Sequence, residues 1–275
     1  MLNALIVVWR ESLEAMLVIG VLLAWIAHQP EPDRLRRGLW LGTGGGVLLA
    51  LALGAATFAV QSQFAGATLE TFQLAMLLFA AGLIVQMVLW MQRHGRHMKR
   101  ELEGQAARAA GAAGIGTVAA LAVAREGAET VVFLYGLGME AGAGAPSGLL
   151  VAAASGLLLA VATAWLVARG ARFLSYRVLF RASAIALLLI ANSLLAAGID
   201  RLLAMDWLPP LLDPVWDTSA LLADSDGLGR LLADFTGYRA RPTGLLLLAC
   251  AAFWGLVAWR LRRQAQSAAF ATAAQ

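Results

Sequence analysis

The sequence predicts an all-α, polytopic membrane protein, and three observations carry that prediction. Hydrophobic residues make up 60% of the 275 and charged residues only 14%, where a water-soluble domain carries about 25% charge. Seven apolar runs are each long enough to cross a hydrocarbon layer of about 30 Å. Of the 21 Lys and Arg, 15 fall in alternate connecting segments, as they do in a chain that crosses the bilayer repeatedly. Mean hydropathy is +0.74. No strand alternation of the outer-membrane barrel kind is present, which leaves packed helices as the way to satisfy the backbone in lipid.

The runs cover residues 2–27, 38–60, 69–92, 111–139, 148–168, 178–199 and 243–259. The first is not read as a signal peptide. No charge precedes Arg10, and Arg10, Glu11 and Glu14 interrupt its apolar core. The second is rich in small residues, and Gly42 and Gly46 have the spacing that lets two helices approach closely. The third ends in the basic segment 93–110, which opens the long, glycine-rich fourth run. The fifth and sixth are separated by the basic segment 169–181. Between the sixth and seventh lies the most polar stretch, residues 200–242, with seven aspartates; Leu221, Leu222, Leu228, Leu231 and Leu232 there predict short amphipathic helices lying on the outer face.

Of 21 Lys and Arg, three lie in segment 28–37, five in 93–110, four in 169–181 and three after residue 259. On the other side, segments 61–68 and 140–147 hold none, and the long loop holds Arg201, Arg230, Arg239 and Arg241. The positive-inside rule therefore places the N-terminus outside and the C-terminus in the cytoplasm, with an odd number of spans. The net charge of +4 reads as topology information rather than as nucleic-acid affinity. The single cysteine, Cys250, sits in an apolar run and reads as inert packing.

The chemistry is concentrated in two five-residue motifs, Arg10-Glu11-Ser12-Leu13-Glu14 in the first run and Arg125-Glu126-Gly127-Ala128-Glu129 in the fourth. A charge at the bilayer centre costs roughly 2.5–3.5 kcal/mol on insertion scales. Residues three apart on a helix are about 60° apart around its axis, so both glutamates of a motif share a face, and Arg stands one turn from the second glutamate. Four carboxylates against two guanidiniums leave a deficit that a multivalent cation would neutralise, and carboxylate oxygens are hard ligands. The bland alternative is a pair of buried salt-bridge clusters that lock helices together. Three spans separate the motif starts, so the second unit enters the membrane inverted. Such inverted repeats place substrate near the midplane, at the repeat interface. The predicted organisation is a single permease domain over 1–263, with a first repeat at 1–110, an inverted second repeat at 111–199, an acidic outer loop at 200–242 and a seventh helix at 243–263, followed by a cytoplasmic tail at 264–275.

Other polar residues in the runs carry weaker signals. Gln73 and Gln86 in the third run and Asn192 and Ser193 in the sixth are candidates to line a pathway, Gln73 and Asn192 first, and for each the plainer reading is an interhelical hydrogen-bond partner. Glu70 marks the outer end of the third run. His94 and His97 have metal-ligand spacing but lie in a basic, solvated segment, and His28 is a lone loop residue. No phosphate loop, zincin pattern or nucleophile elbow is present.

With both motifs placed in the first and fourth spans, the sequence resembles the oxidase-dependent high-affinity iron permeases, the family of EfeU-type bacterial and fungal iron permeases. Ala122-Val123-Ala124-Arg125-Glu126-Gly127 is similar to that family's fourth-span core and Leu89-Trp90-Met91 to the end of its third span. Asp217-Thr218-Ser219 and Gly237-Tyr238 are similar to its outer loop. The resemblance implies iron import across the cytoplasmic membrane, with iron (Fe2+ or Fe3+) as the transported substrate and no cofactor. Glu11, Glu14, Glu126 and Glu129 are then the metal ligands, supported by Arg10 and Arg125, and Asp217 receives iron at the outer face. It also implies an extracytoplasmic oxidase or iron-binding partner. Relatives commonly carry a glutamate where Gln73 aligns, and that departure bears on metal choice.

Two further readings stand beside the iron permease. One is a permease for another cation such as manganese or lead. The other is of a different class, an intramembrane acid–base enzyme or a non-transporting scaffold. The enzyme reading lacks any recognisable nucleophile or cofactor motif and has no need of an inverted repeat.

Overall fold

A computed structural model describes residues 2–94, 98–109, 111–141, 146–169 and 176–273. Among the described residues every regular element is a helix: α1 (Leu2–Ile26), α2 (Pro32–Gln61), α3 (Gly66–His94), α4 (Met98–Arg108), α5 (Gly111–Ala141), α6 (Pro146–Ala168), α7 (Tyr176–Ala204), α8 (Gly227–Thr236) and α9 (Gly244–Ala273). Five stretches are long and apolar enough to cross a membrane: Pro32–Gln61, Gly66–Gln92, Ser147–Ala168, Leu179–Ala204 and Gly244–Gln264. These are the features of a multi-pass membrane protein. At 25 and 31 residues, α1 and α5 have the length to span as well; the motif charges in their middles set them apart from the five.

Several helices outrun the apolar runs. α2 begins at Pro32, where a proline lacking an N–H fits the first helical turn. α9 continues past Arg263 to Ala273, so most of the expected tail extends the seventh helix. Two short helices lie in connecting segments. α4 occupies the basic segment after α3, and α8 carries three of the five leucines that marked an amphipathic helix in the long loop. His97 and the side chain of His94 lie outside the described residues.

The chain divides into two compact units: Met1–Phe72 with Arg96–Ser183, and Gln73–Gly95 with Ala184–Gln275. The first holds α1, α2, α4, α5 and α6, and the second holds most of α3 and α7 with α8 and α9.

Within the first unit α1 is the central helix, packed against α2, α4, α5 and α6 and buried on most of its circumference. Its motif charges need that enclosure, because a charge facing lipid at mid-membrane is costly. Val18, Leu22 and Ile26 of α1 form one cluster with Leu39, Leu102, Ala106, Ile115 and Ala119. α2 lies along α5 with Gly38 facing Ala112, Gly42 facing Gly116 and Gly46 facing Ala120, so the two helices run parallel, backbone to backbone.

The close approaches of α2 on α5 and of α6 on α1 share one geometry. A Cβ on Gly46 would stand 2.7 Å from Ala120 O, 2.8 Å from Val123 Cβ and 3.1 Å from Ala124 N. A Cβ on Gly156 would stand 2.5 Å from Leu5 O, 3.1 Å from Val8 Cβ and 3.1 Å from Trp9 N. Ala120, Val123 and Ala124 lie six, three and two residues before Glu126; Leu5, Val8 and Trp9 lie six, three and two before Glu11. Each motif helix is thus met at the same three positions before its first motif glutamate, α5 by Gly46 of α2 and α1 by Gly156 of α6.

In the second unit, Leu74, Leu77, Ala81, Ile84 and Val88 recur at helical spacing and are buried. Gly198 of α7 faces Leu77 and Leu78 of α3. Ala196 and Ile199 of α7 pack with Leu246 of α9, joined by Ala249 and the half-buried thiol Cys250. The long loop folds back through three backbone bonds, from Val215 N to Pro242 O, Thr218 N to Ala240 O and Gly244 N to Leu212 O. α8 ends at Gly237 with φ +77°, a left-handed cap whose N–H donates to Ala233 O at 3.0 Å.

Candidate metal centre

On α1, the Arg10 guanidinium lies between both glutamates of its own motif. Nη1 donates to Glu11 Oε1 at 2.8 Å and Nη2 donates to Glu14 Oε1. All three side chains are buried, Arg10 to 1% exposure. This is the one-turn pairing that the spacing predicts. On α5, Arg125 Nη2 is 3.1 Å from Glu126 Oε1 and Nε is 3.5 Å from Glu129 Oε1. Here the cation is 49% exposed while Glu126 and Glu129 are mostly buried. Two motifs alike in sequence therefore sit in unlike surroundings.

The two motif helices meet at their carboxylates. Glu11, Glu126 and Glu129 each present one oxygen, and the three atoms lie within 4.8 Å of one another. A cation takes carboxylate oxygens at about 2.0–2.6 Å, so oxygens this far apart can share one ion. Each of these glutamates also keeps a buried oxygen, Oε2, with no hydrogen-bond partner among the described residues. Buried carboxylate oxygens without donors are costly, and a positive ligand is the ordinary means of satisfying them. Glu14 is outside this trio, its carboxylate held by Arg10. Of the four glutamates expected as ligands, three converge and the fourth fixes the buried arginine.

The remaining candidates fall in the second unit. Gln73 Oε1 accepts from Arg201 Nη1 at 2.7 Å, which ties α3 to α7. Asn192 is buried, and its Nδ2 donates to Thr236 O at 2.7 Å, anchoring the end of α8. Both make the interhelical or loop-anchoring bonds that were the plainer reading of such residues. Asp217 is exposed at the start of Asp217-Thr218-Ser219. Its Oδ1 accepts from Ser219 N at 2.9 Å and Ser219 Oγ at 2.5 Å, and its Oδ2 from Arg241 Nε at 2.9 Å. Those donors, the Ser219 hydroxyl first, hold its carboxyl below the usual range, at about 2. Thr218 Oγ1 lies 2.6 Å from Tyr238 OH, which donates to Leu222 O at 3.0 Å. The two loop segments singled out in the sequence are thereby joined.

Sequence reasoning missed Arg201, Arg241 and the bond from Trp9 Nε1 to Thr163 Oγ1 at 3.2 Å. Their partners stand 128, 24 and 154 residues away, and no local pattern announces them. A lone basic residue at the end of the sixth apolar run was the one available hint, for Arg201.

The Iron permease FTR1 family model matches residues 1–262. Ferrous iron permease EfeU of Escherichia coli O6:H1 is 28% identical over 250 residues, covering 86% of this chain and 87% of that protein. The protein of the same name from Shigella sonnei is 27% identical over the same shares. An uncharacterised Archaeoglobus fulgidus protein is 29% identical over 134 residues, 49% of this chain and 47% of its own. No solved structure matches. A family match over nearly the whole length, on a chain with paired Arg-Glu-x-x-Glu motifs on two packed helices, shows that this protein belongs to the iron permease FTR1 family and is a transporter rather than an enzyme.

Proposed function

We propose that this protein imports iron across the cytoplasmic membrane through a midplane site formed by Glu11, Glu126 and Glu129. The carrying observation is the convergence of three mostly buried carboxylates from two separate helices, each with an oxygen that has no partner among the described residues. Arg10 and Arg125 orient the carboxylates and offset part of their charge, so that the cation supplies the remainder. An all-carboxylate donor set suits iron in either oxidation state.

The same reading takes α1, α2, α3, α5, α6, α7 and α9 as seven spans with the N-terminus outside. The matched glycine grips of α2 on α5 and α6 on α1 support an inverted repeat, with the site between its halves. The Arg169 guanidinium lies 4.0 Å from the Trp165 ring centre, and that of Arg263 lies 4.2 Å from the Trp259 ring centre. Both pairs fall at the helix ends assigned to the cytoplasmic interface, where tryptophan and basic residues collect. The outer loop, with Asp217 exposed, is the surface on which an extracytoplasmic oxidase or iron-binding protein would deliver the ion.

The test is uptake of radioactive iron by proteoliposomes, supplied under reducing and then oxidising conditions with manganese as competitor. Glu126→Gln and Glu11→Gln are expected to abolish uptake while the protein stays folded. Full uptake by both variants would refute the site. Equal competition by manganese would refute the assignment to iron.

A further inference from the structure

Beside the line where α2 and α5 touch, a groove of about 910 Å³ opens between the two helices. Gly38, Gly42 and Gly45 of α2 and Gly116 of α5 line it. Its mouth is basic, formed by Arg34 and Arg37 at the start of α2. We infer that this groove binds one anionic phospholipid, with an acyl chain along the glycines and the phosphate on the arginines.

Three features of the groove point to that ligand. Its depth is one leaflet: from Arg37 to Gly45 along α2 is about 12 Å, and from Arg34 about 16 Å, against the ~15 Å of half a hydrocarbon core. Its floor is smooth and apolar because glycines leave no side chain in the way. A Cβ on Gly45 would meet nothing within 4 Å, so the space beside it is open.

Its charge lies at the lipid headgroup level. Arg37 makes no ion pair or hydrogen bond with any described residue. Arg34 is held only by Glu31 at 3.3 Å, an exposed pair of the kind that exchanges at little cost. Asp33 stands at the same mouth, but Arg36 faces it at 3.7 Å. α2 and α5 run parallel, so the positive ends of both helix dipoles point to this end of the groove. Basic pockets between transmembrane helices are a recurrent means of holding anionic lipid heads.

The proposal does not depend on the transport reading, because its readout is lipid retention. Purified protein in nanodiscs is exchanged into mixtures of phosphatidylglycerol and phosphatidylcholine, and the bound lipid is counted by native mass spectrometry. Wild type is expected to retain one phosphatidylglycerol through conditions that strip phosphatidylcholine. Arg34→Gln and Arg37→Gln each lower its apparent affinity roughly fivefold, the ratio that ~1 kcal/mol per basic residue gives. Gly45→Leu, whose Cβ meets nothing within 4 Å and which adds bulk to the groove lining, abolishes retention, while Arg260→Gln at another basic helix end leaves it unchanged. Retention displaced by glycerol 3-phosphate alone would mean a headgroup site without a chain and would overturn the lipid assignment. So would equal retention by the double arginine variant and wild type, or a second copy of this chain in place of the lipid.

Discussion

The glycine grips on the two motif helices yield a prediction with a worked magnitude. Replacing Gly46 by Ala puts a methyl carbon 2.7 Å from Ala120 O, about 0.7 Å short of the 3.4 Å at which ordinary contact begins. Replacing Gly156 by Ala puts it 2.5 Å from Leu5 O, about 0.9 Å short. In each case the obstacle is a helix backbone, which cannot rotate away as a side chain can, so the helices must separate. Overpacking of this size costs about 1–3 kcal/mol.

The functional cost follows from the site. Gly46 pushes on the helix that carries Glu126 and Glu129, and Gly156 on the helix that carries Glu11. Three oxygens within 4.8 Å of one another leave little slack. An opening of about 0.7 Å takes a pair at that limit to about 5.5 Å, past the roughly 5.2 Å that two opposed 2.6 Å bonds can span. The controls are Gly44→Ala and Gly20→Ala, where a Cβ meets nothing within 4 Å and alanine is favoured over glycine in a helix by up to ~1 kcal/mol. The assay is the midpoint of heat-induced loss of monodisperse protein, read beside iron uptake. Gly46→Ala and Gly156→Ala are expected to lose both stability and uptake, to similar extents, while the controls keep uptake and lose no stability. If Gly46→Ala matched Gly44→Ala in both measurements, the close approach would have no energetic consequence and the reasoning would fail.

The remaining predictions separate residues that the sequence treats alike. Arg10→Gln removes the cation between two buried carboxylates and is expected to cost about 3–5 kcal/mol, measured as lost folded yield; Arg125→Gln, whose cation is 49% exposed, costs less than Arg10→Gln and leaves more folded protein, with reduced uptake. Glu14→Gln leaves the three-oxygen cluster in place but loosens Arg10, so it lowers stability more than Glu129→Gln does, which calorimetry of the two variants decides. Asp217 has a depressed carboxyl, so the contacts it makes with Ser219 and Arg241 are intact above its unfolded value and are lost as pH falls through about 2. Ser219→Ala raises that titration toward the ordinary aspartate value, seen by carboxyl-selective NMR. Tyr238→Phe deletes the donor to Leu222 O and costs about 1 kcal/mol, read as faster proteolysis within residues 200–242.

The sequence made the helices legible because apolar length is a local property, and it made the motifs legible because intramembrane charge is rare. Boundaries were less legible. α2 starts six residues before its apolar run and α9 continues beyond Arg263, since a helix has no reason to stop where the lipid does. Within each motif the spacing foretold the pairing of Arg10 with Glu14 and of Arg125 with Glu129. It did not foretell that Glu11, Glu126 and Glu129 would form the cluster while Glu14 stayed with its arginine, because the choice depends on how α1 and α5 cross. For Gln73 and Asn192 the apolar setting suggested an interhelical hydrogen bond or a place on a pathway, but their partners, Arg201 and the Thr236 carbonyl, were too distant in sequence to be named.

The two motifs show most clearly where sequence symmetry ends. The backbone environment is repeated closely, down to a glycine set against positions six, three and two before the first glutamate on both helices. The side-chain environment is not. The residue before Arg10 is Trp9, bonded to Thr163, whereas the residue before Arg125 is Ala124, which has no side chain to make such a bond. Arg10 is sealed and Arg125 is half exposed. A pair of helices can be held in matched geometry by backbone contacts while their side chains keep unequal burial. Backbone matching sets oxygens of Glu11, Glu126 and Glu129 within 4.8 Å of one another. Unequal burial of Arg10 and Arg125 would give an ion at the proposed site different surroundings beside α1 and beside α5.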